Sequence, residues 1–101
     1  MYFLRFPDCW DGLHLDSPDH KSHVSFGGGG ACPAAFPVPI PAVSIELIYP
    51  TTGTTAGFSL ASGMASSMHG DAFFAWDNAV MAERVKDCVV PKVQCDTYGN
   101  P

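Results

Sequence analysis

Val43-Ser44-Ile45-Glu46-Leu47-Ile48-Tyr49 alternates apolar and polar residues along most of its length. Val43, Ile45, Leu47 and Tyr49 share one face, which is the period-two signature of a half-buried β-strand. Pro33, Pro37, Pro39 and Pro41 stand before it, so residues 32–42 should be extended and unable to occupy a central strand. After it, Pro50-Thr51-Thr52-Gly53 offers a turn, and Gly57-Phe58-Ser59-Leu60-Ala61-Ser62 reads as a second strand closing a hairpin. Tyr2 to Phe6 is β-prone and stops at Pro7. Residues 8–25 form a polar loop by composition, and Gly27 to Gly30 extend it. One helix is expected near the C-terminus, with Asp77 as N-cap, Val80, Met81, Val85, Cys88 and Val89 at helical spacing, Lys86 in the last turn, and Pro91 as the stop. The expected class is α+β: β-rich, with antiparallel strands, long polar loops and one C-terminal helix, its sheet exposing an open edge.

At 101 residues the chain has room for a single small domain. Hydrophobic residues make up 47% and charged ones 15%, which excludes a disordered tail. The net charge of −5 and the scattered Arg5, Lys21, Arg84, Lys86 and Lys92 exclude a nucleic-acid partner and an anionic membrane surface. No stretch is long enough for membrane insertion. No secretory leader precedes Tyr2-Phe3-Leu4, which fits either a cytosolic protein or a chain whose front is missing. The even count of cysteines, Cys9, Cys32, Cys88 and Cys95, fits two disulfides with three possible connectivities. Cys88 and Cys95 are close enough to bridge locally, which leaves Cys9 with Cys32 to close a loop worth on the order of 3 kcal/mol. Buried free thiols are the alternative.

The chemistry-bearing residues gather in Asp16-Ser17-Pro18-Asp19-His20-Lys21-Ser22-His23, with His69 and Asp71 as a second pair. If the two loops meet, imidazoles and carboxylates converge. Such a cluster suits acid–base work, or a divalent metal held by His20, His23 and His69. His20-x-x-His23 does not match the HExxH metalloprotease pattern, and Pro18 opposes a helix there. The bland reading is that Asp16 and Asp19 build Asx turns while the histidines bond to backbone. Trp10 and Trp76, each followed by Asp, read either as sugar platforms or as core residues, and Phe73-Phe74 as packing. His14 is isolated in the sequence and reads as solvated. No serine sits in a nucleophile elbow.

Phe6-Pro7-Asp8-Cys9-Trp10-Asp11-Gly12 and Leu15-Asp16-Ser17-Pro18-Asp19-His20-Lys21-Ser22-His23 resemble the domain of unknown function nineteen-ninety-six, a family of secreted fungal and bacterial proteins sometimes found beside cell-wall sugar-binding modules. Cys32-Pro33, Pro37-Val38, Pro41, the strand from Glu46 to Tyr49, Leu60-Ala61-Ser62-Gly63, His69-Gly70-Asp71, Trp76-Asp77 and a Cys88 to Cys95 tail carry the resemblance along nearly the whole chain. It implies that residues 1–101 are a partial domain, the C-terminal half of the family domain, since family members carry an upstream His-x-His half. It also favours the missing-front explanation. Phe74 stands where the family usually has Asn.

The resemblance therefore implies an extracellular, cell-envelope or polysaccharide-associated module. In it His20, His23, His69, Asp19 and Asp71 would form an acid–base or ligand cluster, Trp10 and Asp16 would contact the glycan, and a divalent metal would be the expected cofactor. Hydrolysis and metal binding are both open on these residues. The rivals are a non-catalytic structural or binding module and an inactive fragment.

Overall fold

A computed structural model describes residues 2–28, 30–50, 57 and 59–101. The chain divides into two compact units, Met1–Gly70 and Asp71–Pro101.

Among the described residues the first unit holds five short strands. Strand β1 (Tyr2–Arg5) pairs antiparallel with β5 (Ser44–Leu47) in the register Tyr2 to Leu47 and Leu4 to Ile45. This puts Tyr2, Leu4, Ile45 and Leu47 on one face, and Tyr49 meets Tyr2 edge-on with ring centroids 6.2 Å apart. The amide of Phe6 donates to the carbonyl of Val43 at 2.9 Å and carries the pairing one step further. The strand read from Val43 to Tyr49 is therefore present, with the N-terminal strand as its partner. The expected hairpin with residues 57–62 is corrected: among the described residues Leu60 bridges Gly63 and no strand forms there. Its turn at 51–53 and Phe58 lie outside the described residues. The expected half-burial is also corrected, because Ser44 to Leu47 are all exposed, with Ile45 at 45% and Leu47 at 42%. On the same face Tyr2 and Leu4 are half-buried, with Gly70 packed against Leu4 and Phe6.

Three shorter strands form a second antiparallel sheet in the order β3-β2-β4, from β2 (Cys9–Trp10), β3 (Val24–Ser25) and β4 (Val38–Pro39). The sequence reads residues 8–25 as all loop, since two-residue strands carry no periodicity. Their pairing comes from tertiary contact. Pro39 is tolerated because β4 is an edge, as the proline-rich segment requires. Cys9 lies in the central strand and is 1% exposed, the one buried residue among those described. It bridges to Cys32, with Cα atoms 5.7 Å apart. Gly27 packs so closely on it that an added Cβ would lie 2.8 Å from Cys9 Sγ. The Asp8 carboxylate accepts the Gly27 amide at 2.7 Å, and the Asp8 carbonyl accepts the Ile40 amide at 2.9 Å. A disulfide with its clasped loops occupies the place that a hydrophobic cluster takes in larger domains.

The second unit is built on helix α1 (Asn78–Arg84), which continues through a π-helical turn, Val85–Val89. Asp77 caps it as expected, its carboxylate accepting the Val80 amide at 3.0 Å. Beyond Pro91 the chain reverses at Lys92, a non-glycine residue at φ 57°. Cys88 bridges to Cys95, and the Arg84 guanidinium donates to the Thr97 carbonyl at 3.1 Å. The terminal turn winds around Asp96, whose carboxyl is lowered chiefly by the backbone amide of Asn100. Both disulfides are thus the pair expected from spacing, and no described cysteine is free. No helix among the described residues is long and apolar enough to cross a membrane.

Candidate functional site

Strands β2 and β3 are joined by a polar loop, residues 11–23, whose ends are fastened by the Asp11 amide donating to the His23 carbonyl at 3.1 Å. Gly12, at φ 80°, starts the loop where a side chain would meet Val38. Trp10 contributes its indole: Nε1–H donates to the carbonyl of His14 at 2.6 Å and holds the loop from below. The role that Trp10 plays here is a brace.

Each carboxylate of the loop closes on its own neighbours. Asp11 accepts the amides of Leu13 and His14 at 2.8 and 3.0 Å, an Asx turn, and accepts His14 Nδ1–H at 2.7 Å. The backbone amide of His14, then that of Leu13, holds its carboxyl down at about 2, well below the usual 3.8. Asp16 accepts His20 Nδ1–H at 2.8 Å, and that bond is the largest cause of its lowered pKa. His20 itself sits at φ 58°, a left-handed conformation that places its ring back over Asp16. Asp19 is the most heavily bonded: it accepts the Ser22 hydroxyl, the amides of Lys21 and Ser22 at 3.0 and 2.8 Å, and the Ser17 hydroxyl at 2.9 Å. These donors, the Ser22 hydroxyl first, hold its carboxyl far below the ordinary range.

A relay follows from these bonds. Ser17 Oγ lies 2.9 Å from Asp19 Oδ1 and 2.8 Å from His23 Nδ1. A hydroxyl has one proton, and an ionised carboxylate is a stronger acceptor than a neutral imidazole. Ser17 therefore donates to Asp19, and His23 Nδ1–H donates to Ser17. His23 is fixed in the Nδ1–H form with Nε2 as its acceptor nitrogen. His14 is fixed the same way, because the Asp11 carboxylate can only accept.

Asp11, His14, Asp16, Ser17, Pro18, Ser22 and His23 line a solvent-open concavity of about 270 Å³. Of the residues singled out in the sequence, Asp16 and His23 line it, while Asp19, His20 and Trp10 shape the loop that forms it. His14, read as isolated, is corrected on that point, because it pairs with Asp11 and lines the concavity; it is solvated as expected, its side chain 66% exposed. The Asp11-x-x-His14 and Asp16-x-x-x-His20 spacings are the signal that could have found these pairs. His69 is outside the lining; its Nδ1–H donates to the Ser67 carbonyl at 2.8 Å. Asp71 belongs to the second unit.

Among the described residues no three His, Cys, Asp or Glu side chains are grouped to hold a metal ion. His20, His23 and His69 do not form such a group. The Asp16 and Asp19 carboxylates are engaged by the loop's own N–H and O–H donors.

The model of the family "Domain of unknown function (DUF1996)" matches residues 1–76. The chain belongs to this family. The DUF1996 segment takes in the whole first unit, including the disulfide of Cys9 with Cys32 and the loop 11–23. It ends at Trp76, so the helix and the Cys88–Cys95 bridge fall outside it. The expectation that the chain is the C-terminal half of the DUF1996 domain, matched to its last residues, is corrected accordingly: the match fills the N-terminal part of this chain. No curated protein and no solved structure matches the DUF1996 chain.

Proposed function

We propose that this is an extracellular, polysaccharide-associated module that binds glycan hydroxyl groups in the concavity of loop 11–23. The observation that carries the reading is the orientation of hydrogen-bonding capacity there. The carboxylates are satisfied within the loop, while the tautomers of His14 and His23 leave Nε2 lone pairs as acceptors. Acceptor nitrogens flanked by serine hydroxyls suit a ligand rich in O–H donors. The concavity is of monosaccharide scale, slightly below the roughly 300–1,000 Å³ of common ligand pockets. Two disulfides in so short a chain fit an oxidising compartment. Anionic polysaccharides are disfavoured by the net charge of −5.

A non-catalytic module whose polar loop only braces the fold is the second reading, favoured by the number of bonds Asp19 makes to its own segment. Retention on insoluble chitin, β-glucan and cellulose separates the two. Binding by the full chain that is lost in His14→Ala/His23→Ala, with an unchanged urea midpoint, supports the pocket. A full chain retained on none of them, or a double variant retained equally well, leaves the loop as scaffold.

A further inference from the structure

Resting on that reading of the pocket, we propose that it is a hydrolytic site for acyl esters of hydroxyl-bearing glycans, with His23 Nε2 as general base and Ser17 as its positioning residue. Two features of the loop decide between ester and glycosidic chemistry.

The first is the lack of a carboxylic acid. Glycoside hydrolysis by a carboxyl pair needs one member protonated near neutrality to protonate the leaving oxygen. The lining carboxylates, Asp11 and Asp16, accept from imidazole and from backbone amides, and Asp19 behind them accepts from two hydroxyls and two amides. Donors of this kind stabilise the ionised form, and Asp11 is held down at about 2. None of the three can deliver a proton at neutral pH.

The second is the relay itself. Asp19, Ser17 and His23 stand in line through contacts of 2.9 and 2.8 Å. The relay orients the imidazole, prescribes which nitrogen is basic, and sets a carboxylate to stabilise the imidazolium once it forms. In ester hydrolysis such a base activates the attacking water. Water held at Nε2 gives that nitrogen a proton while its oxygen bonds to the acyl carbon. The tetrahedral intermediate then breaks the bond to the sugar oxygen, which takes the proton back from Nε2–H. The products are a carboxylic acid and a free sugar hydroxyl, and no other reactant is consumed. Ser17 is not the nucleophile here, because its proton is committed to Asp19.

The test uses the full chain with para-nitrophenyl acetate and para-nitrophenyl β-glycosides. The expected result is ester hydrolysis at least roughly a hundredfold above His23→Gln, the low end of what a positioned base contributes, and no release from the glycosides. Nitrogen-resolved NMR of the neutral imidazoles should show His23 as the Nδ1–H tautomer. Ser17→Ala should move it toward Nε2–H and lose most of the ester rate, and Ser17→Thr should restore both. Equal rates in the full chain and His23→Gln, release from the glycosides, or an Nε2–H tautomer in the unaltered chain would each overturn the assignment. Polysaccharide retention without ester turnover refutes this inference alone, whereas loss of both refutes the binding reading with it.

Discussion

Removing the bridge between Cys9 and Cys32 should unfold the first unit under conditions that leave the second folded. The perturbation is the double variant Cys9→Ser/Cys32→Ser. The bridge spans 23 positions, so its loop-closure contribution is about 3.4 kcal/mol at room temperature. A chain of this size has roughly 5–15 kcal/mol to lose in total, so the fraction removed is large. The same change also places a polar hydroxyl at the one buried described position, with no rearranged core to absorb it. Urea unfolding followed by the fluorescence of Trp10 in a Trp76→Phe background is the assay. With so little surface to expose, the slope should lie near about 1 kcal/mol/M, and the midpoint should fall by about 3 M. The matched control, Cys88→Ser/Cys95→Ser, opens a span of 7 and should cost about 2.4 kcal/mol, confined to the helix and terminal turn. An unchanged Trp10 midpoint in the first variant, or an equal loss from the control, would refute the view that this disulfide is the centre of the unit.

Two further outcomes follow from contacts around the same loop. Gly27→Ala should destabilise the first unit by about 1–3 kcal/mol, since its Cβ would lie 2.8 Å from Cys9 Sγ and the bridged sulfur cannot swing aside; a thermal melt at unchanged midpoint would count against this packing. Acid should loosen the loop: the folded carboxyl of Asp11 titrates at about 2 against an ordinary 3.8, so the unfolded chain binds more protons in that window. The stabilisation is complete above about pH 4 and disappears as pH falls toward about 2, and the amide shift of Leu13 should move over that interval.

Local rules recovered the elements whose signal is local. Asp77 announces its helix because an N-cap acts within three residues, and the stretch around Ile45 announces a strand because its side chains alternate. The partner of that strand is Tyr2–Arg5, some forty positions away, and nothing in either segment names the other. A nearby turn made residues 57–62 the economical guess, and the actual pairing overrode it. Cys9–Trp10 and Val24–Ser25 escaped notice because two residues cannot show a period. At the site, the polar segment and the Asx turn at Asp19 are legible from local rules, whereas the side-chain pairs Asp11–His14, Asp16–His20 and Ser17–His23 are not. His14 pairs with Asp11, three residues upstream in the same turn, a spacing that no motif marks. His69 stands apart from that cluster, its Nδ1–H bonded to the Ser67 carbonyl.

That Cys9 is the one buried residue among those described also shapes how this unit should respond to temperature. Heat-capacity change on unfolding follows the apolar area released to water, and a unit clasped by a covalent link and loop hydrogen bonds releases little. Its free-energy curve should therefore be broad and shallow, with melting spread over many degrees and cold exerting almost no weakening. Where a conventional domain loses its fold at a sharp temperature, this one would stay serviceable across a wide climate for as long as its sulfurs remain joined.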